Sequence, residues 1–97
     1  MIIQFVRLES SLSEDEVLAI AKKRAEKFRA VPGLIQKYYV KLNEPNHYGG
    51  IYLWDSTESL NAFRETELAK SIPAAYQVVG APKIEILEGL FTLREAN

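Results

Sequence analysis

The sequence predicts an α+β domain of β-α-β-β-α-β order, and three observations carry that expectation. Two runs rich in β-branched and aromatic residues, Val31 to Val40 and Tyr48 to Trp54, flank a polar interval of Asn43, Glu44, Pro45, Asn46 and His47, which is the punctuation of a β-hairpin. Serine caps followed by apolar residues at three- and four-residue spacing open a helix on either side of the hairpin. Short apolar runs at both ends of the chain supply two more strands. This order is the ferredoxin-like split arrangement, an antiparallel four-stranded sheet with both helices on one face.

The elements follow in chain order. Residues 2 to 9 set Ile2, Ile3, Phe5, Val6 and Leu8 around Gln4 and Arg7, a first strand with two polar residues in an apolar setting. Ser13 and Glu16 form a Ser-x-x-Glu capping box, and Glu14, Asp15 and Glu16 place negative charge where a helix N-terminus favours it. Val17, Leu18, Ala21, Ala25 and Phe28 form the helix's apolar stripe, and Pro32-Gly33 ends it. In the strand 48 to 54, Tyr48, Gly50, Tyr52 and Trp54 alternate with Gly49, Ile51 and Leu53, so both faces are apolar. Asp55-Ser56-Thr57-Glu58 caps a second helix carrying Leu60, Ala62, Phe63 and Leu68 to about residue 68. Ala69 to Pro82 is less periodic and is expected to hold a short helical turn and then a loop. Residues 83 to 93 are expected to form the last strand, with Gly89 a bulge or close-approach point.

Composition bounds the function. Ninety-seven residues make a single domain, 1–97, with one modest core. Twelve basic and thirteen acidic side chains leave a formal charge of -1, which is no electrostatic footprint for nucleic acid or an anionic membrane. The chain contains no cysteine and one histidine, so no thiol nucleophile and no usual metal or haem ligand set is expected. The first residues pass directly into a strand pattern without the features of a signal peptide, and a cytoplasmic location is expected. With helices on one face of the sheet, the apolar second face needs a cover. Tyr52, Trp54 and their neighbours would otherwise make a large exposed patch, so two sheets are expected to pack face to face in a homodimer that encloses a pocket.

Pro32-Gly33 followed by Lys37, then Asn46-x-x-Gly49-Gly50-Ile51-Tyr52-Leu53 with an aromatic next, resembles the YdhR-like monooxygenases of the dimeric α+β barrel superfamily. Trp54-Asp55-Ser56-x-Glu58-x-x-x-Ala62-Phe63 is similar to the strand-to-helix junction found widely in that superfamily. The resemblance spans most of the chain and implies a dimeric barrel. It also implies a cofactor-independent monooxygenase acting on a small aromatic or quinol-like molecule, with no cofactor. A non-catalytic homodimer that binds a small aromatic or quinone-like molecule, and a structural dimer with a filled core, are the alternatives.

Such an oxygenase needs an electron-rich substrate, a group that favours its anion and an apolar pocket. Tyr52 and Trp54 are candidate aromatic walls, although large aromatics on strands are more often core residues of the dimer. Gln4, Gln36 and Tyr39 are candidate substrate contacts on the strands. Arg7 is a candidate for stabilising an enolate oxygen, or an ion-pair partner of Glu85 or Glu88. Lys37 is a base only if burial lowers its pKa, and otherwise an exposed strand lysine. His47 is the one side chain that ordinarily titrates near neutrality, although its hairpin position also suits a surface residue.

Overall fold

The structure is a computed structural model, and residues 1–94 are described. Strand β1 (Ile2–Ser10) leads to helix α1 (Glu14–Arg29), then β2 (Leu34–Lys41), β3 (His47–Trp54), α2 (Thr57–Arg64), the single turns α3 (Glu67–Lys70) and α4 (Ile72–Ala75), and β4 (Val78–Glu88). The four strands form one antiparallel sheet in the order β2-β3-β1-β4, the ferredoxin-like arrangement.

Helix α1 starts where its caps require. Ser13 accepts from the Glu16 amide and the Glu16 carboxylate accepts from the Ser13 amide, so the capping box closes in both directions. Ser56 caps α2 by accepting from Ser59 N. The second helix is interrupted after Arg64. Thr66 opens α3 by accepting from Ala69 N, so the stretch that reads as one helix to residue 68 breaks into two.

The core lies between the sheet and the helices. Phe28 of α1, Tyr52 and Trp54 of β3, and Leu60 and Phe63 of α2 form its centre, with Trp54 fully buried. The Tyr52 and Trp54 rings lie parallel with centroids 6.0 Å apart, and Phe63 packs against Trp54 at 5.2 Å. This corrects the expected face of β3: Tyr52 and Trp54 point under the helices, not towards a second subunit. Their buried neighbours settle the polar residue in β1, because the Trp54 indole donates to Gln4 Oε1 at 3.0 Å. The uncovered face of the sheet carries the other alternating set, including Ile3, Phe5, Arg7, Ile51, Leu53 and Tyr38.

The last strand also departs from expectation. It begins at Val78 instead of residue 83 and ends at Glu88, which pairs with Ile2. Beyond Glu88 the partner strand has run out; Gly89 makes one last bond, donating to Met1 O at 2.7 Å, and 90–93 continue outside the sheet. A Cβ on Gly89 would fall 2.6 Å from Met1 Cγ, so Gly89 is a close-approach point rather than a bulge. The bulge lies earlier, between Arg7 and Glu9, opposite Gly80 with its φ of 71°.

Gly49 has a comparable constraint in the middle of the sheet. A Cβ there would lie 2.7 Å from the Val6 carbonyl oxygen, which is backbone and cannot step aside. Gly49→Ala is expected to lower stability by about 1–3 kcal/mol in urea denaturation, and an unchanged midpoint would show that the β1–β3 pair has slack.

Candidate active site

A cavity of about 170 Å³ opens between α1 and the helix-facing side of the sheet. Val17, Leu18 and Ala21 of α1 form one wall, and Tyr48, Gly50 and Tyr52 of β3 form the floor. Lys37, Tyr39 and Lys41 enter from β2, and Ile72 and Tyr76 close the side near α4. The lining is largely apolar and aromatic. Register explains the convergence: Lys37, Tyr39 and Lys41 pair with Tyr52, Gly50 and Tyr48, which places all six on one face. Gly50 keeps the floor low, since a Cβ there would lie 3.3 Å from Lys37 Cε and 3.0 Å from the Tyr52 ring.

Lys37 is the chemically distinctive group. Its Nζ sits 3.5 Å from the Phe28 ring centroid, 4.3 Å from Tyr39 and 4.5 Å from Tyr52. Among the described residues no carboxylate lies within ion-pair distance of it. Burial, reinforced by the positive charge of Arg24, brings its pKa down from 10.5 to about 7. The ring faces favour the ammonium, so the site holds both protonation states within reach of neutral pH. Burial also pushes the hydroxyls of Tyr39, Tyr52 and Tyr76 up, most strongly Tyr52, so the phenols remain protonated donors.

Lys41 lines the same cavity in the opposite electrostatic setting. Its Nζ lies 2.7 Å from Glu14 Oε1, and that bond raises its pKa. One lysine of the cavity is thus held as an ammonium while the other can surrender its proton.

Two groups that the sequence did not single out complete the surroundings. Arg24 lies on the buried stripe of α1 with Val17, Ala21 and Phe28, at positions i, i+4, i+7 and i+11. Its Nη2 donates to Leu68 O at 3.2 Å and Ser71 Oγ at 3.0 Å, while its Nε is buried without a partner among the described residues. The helical spacing was the available signal, masked by the residue's charge. Tyr76 is fixed from the other side, because its carbonyl accepts from the buried Ser10 hydroxyl at 2.6 Å.

The structure separates the sequence-derived candidates. Lys37, Tyr39 and Tyr52 come together in the cavity. Trp54 and Gln4 lie in the adjoining core, bonded to each other and away from the cavity lining. Gln36 is exposed, accepts from Lys37 N at 3.1 Å and lines a second recess of about 270 Å³ with Ala25, Phe28 and Arg29. That recess shares Lys37 and Tyr39 with the cavity, so these two side chains partition the space. Arg7 is on the uncovered face, over the Phe5 ring at 4.3 Å and 3.7 Å from Glu85. His47 stays at the hairpin, with Nδ1 2.8 Å from Pro45 O and Nε2 3.7 Å from Glu44 and 3.9 Å from Glu9. Arg7 and His47 therefore do not share a site with Lys37. Among the described residues no three His, Asp or Glu side chains are placed to hold a metal, and no helix is long and apolar enough to cross a membrane.

A family model described as "Putative mono-oxygenase ydhR" matches residues 2–97. The chain belongs to this family. Among solved structures it is similar to the NE2512 protein of Nitrosomonas europaea, of unknown function, at 21% identity and TM-score 0.80 over 99% of this chain and 95% of that one. It is also similar to SnoaB, a cofactor-independent oxygenase from Streptomyces nogalater, at 16% identity and TM-score 0.73 over 97% and 98%. A third similar structure, described as a putative antibiotic biosynthesis monooxygenase from Deinococcus radiodurans, has 15% identity and TM-score 0.74 over all of both chains. At these identities the structures establish a shared fold. No curated protein matches the chain.

Proposed function

We propose that the protein is a cofactor-independent monooxygenase that oxidises a small aromatic, quinol-like molecule in the cavity beside Lys37. The observation that carries this reading is a buried amine, with no acid partner among the described residues, on the wall of an aromatic pocket. Membership of a monooxygenase family and a fold shared with SnoaB support it. An apolar cavity of ~150 Å³ takes benzene, so a space of about 170 Å³ suits a single ring better than three fused ones.

The chain's own groups suit the first step. The Lys37 amine takes the proton of a ring hydroxyl, and the ammonium so formed holds the phenolate. Tyr39 and Tyr52 stay protonated and available to donate to a ring oxygen. The electron-rich anion then reacts with dioxygen: one oxygen atom is retained by the product, the other leaves as water, and the substrate supplies all four electrons. Oxygen uptake by metal-free protein is expected with hydroquinones and catechols above autoxidation, and less with anthrones. Absence of uptake with ring compounds that demonstrably bind would refute the reaction.

The active form in this reading is a homodimer. Ile3, Phe5, Ile51, Leu53 and Tyr38 make an apolar patch on the uncovered face beside the Arg7–Glu85 pair, and Leu90 and Phe91 beyond β4 are 89% and 81% exposed. Burying such a surface against a second copy removes it from water. Light scattering is expected to give twice 11.0 kDa; a monomer at micromolar concentration would contradict the sheet-to-sheet arrangement. The cavity itself is walled by one chain, so ligand binding and dimerisation are separable measurements.

A further inference from the structure

Seven lysines occur in this chain, and five of them (Lys22, Lys23, Lys27, Lys70 and Lys83) are exposed. A sixth, Lys41, is committed to Glu14. Lys37 differs from all of these in having its amine at an apolar cavity, near a second cation and free of any carboxylate among the described residues. Desolvation and an adjacent cation are the two conditions that turn a lysine into a nucleophile towards carbonyl carbon.

We propose that Lys37 is a carbonyl-capturing residue: its amine condenses with a small aromatic aldehyde or ketone that enters the cavity, forming an imine at Nζ and releasing water. The nitrogen lone pair forms the new bond to the carbonyl carbon while the C=O π electrons move to oxygen, giving a carbinolamine after proton transfer. The carbinolamine hydroxyl takes up one proton and leaves as water while the nitrogen lone pair forms the C=N bond; the iminium then gives its N–H proton back to the donor, so both hydrogens of the water come from the amine. Tyr39 is placed to supply the proton to the departing oxygen. It lies two residues along the same strand face, its ring is 4.3 Å from Nζ, and burial keeps its hydroxyl protonated. Lys41 cannot substitute for Lys37. It is four residues further along the strand, about 13 Å away at Cα, and its amine is held as an ammonium.

The Gly50 floor leaves room on the cavity side of Nζ. The Phe28 ring stands 3.5 Å from Nζ on the side of the second recess, and the Tyr39 and Tyr52 rings flank Nζ on the cavity side. These flat aromatic walls favour planar, unhindered aryl carbonyls over bulky aliphatic ones. The inference uses the same cavity as the oxygenase reading but does not depend on oxygen chemistry.

The test is reductive trapping with benzaldehyde and cyanoborohydride at pH 7, followed by peptide mapping of every lysine. At that pH an ordinary exposed lysine has only about 0.04% of its amine free, whereas a lysine brought down to about 7 has roughly half of its amine free. Benzylation at Lys37 is expected to be at least about tenfold faster than at any other lysine. Hydroquinone in excess should slow it by occupying the same space. Labelling of Lys37 no faster than that of the exposed lysines would overturn the proposal, as would equal labelling of Lys41. The wild-type map decides the matter even if Lys37→Met folds poorly. Rapid labelling without oxygen uptake removes the oxygenase reading alone; oxygen uptake with an inert Lys37 removes this proposal alone.

Discussion

Replacing Trp54 with alanine is expected to destabilise the protein by about 3–5 kcal/mol, enough to unfold a marginal domain of this size. The side chain is completely buried, its ring packs on Tyr52 and Phe63, and the cavity left behind is bounded by the β-sheet, which cannot collapse into it. A second cost comes from Gln4, whose amide oxygen loses its indole donor while remaining buried, typically about 1–3 kcal/mol. Trp54→Phe should retain most of the packing and lose mainly the hydrogen bond. Urea denaturation of the two variants separates these contributions. If Trp54→Ala were nearly neutral in stability but lost ligand binding, the residue would be a ligand wall rather than part of the core.

Lys37→Met is expected to have the largest effect on activity and an opposite effect on stability. Removing a general base commonly costs 10²–10⁴ in rate, and wild-type turnover should rise with pH through about 7 as the amine is released. For stability the direction follows from proton binding. The unfolded chain protonates Lys37 up to about pH 10.4, while the folded chain gives up that proton near 7. The folded state is therefore penalised below pH 7, and stability rises between 7 and about 9.5. The penalty amounts to up to about 5 kcal/mol. Above that range Tyr39, Tyr52 and Tyr76 reverse the trend, since their pKa values are raised on folding and the unfolded chain loses those protons first. The variant should lose the rise between 7 and 9.5 and should be more stable than wild type at pH 6. An identical pH profile for both proteins would mean that Lys37 is solvated as an ordinary surface lysine.

Much of the fold is legible in the sequence because local chemistry and global topology agree. The Ser13 box, the Ser56 cap and the Pro32-Gly33 stop act within one turn of the chain and appear where the residue types place them. The facing of β3 was not legible. Both of its alternating sets are apolar, and period-two alternation says which residues share a face without saying which face meets the helices. The start of β4 was hidden by Gly80 and Pro82, which read as strand breakers. β4 is an edge strand with a bulge, where proline needs no inward donor and glycine supplies the positive φ.

The candidate site was legible only in part. Lys37 depended on burial, and burial depends on β2 lying beneath α1, a tertiary fact. Tyr39 and Tyr52 fall beside it by strand register, whereas Arg7 has the opposite phase from Gln4 and is carried to the uncovered face. Arg24 is at the right helical spacing but carries the wrong chemistry for a core stripe, so an apolar pattern does not include it. Its guanidinium bonds to the neutral oxygens of Leu68 and Ser71, and its positive charge helps to depress the Lys37 pKa.

The most direct measurement is an NMR titration of the Lys37 side chain in isotopically labelled protein, repeated anaerobically with methylhydroquinone. The account predicts a midpoint close to 7 in the free protein, far below the other lysines, and a displacement of that midpoint when the ring compound occupies the cavity. A Lys37 midpoint near 10.4, indifferent to the added compound, would contradict the assignment of this cavity as the functional site.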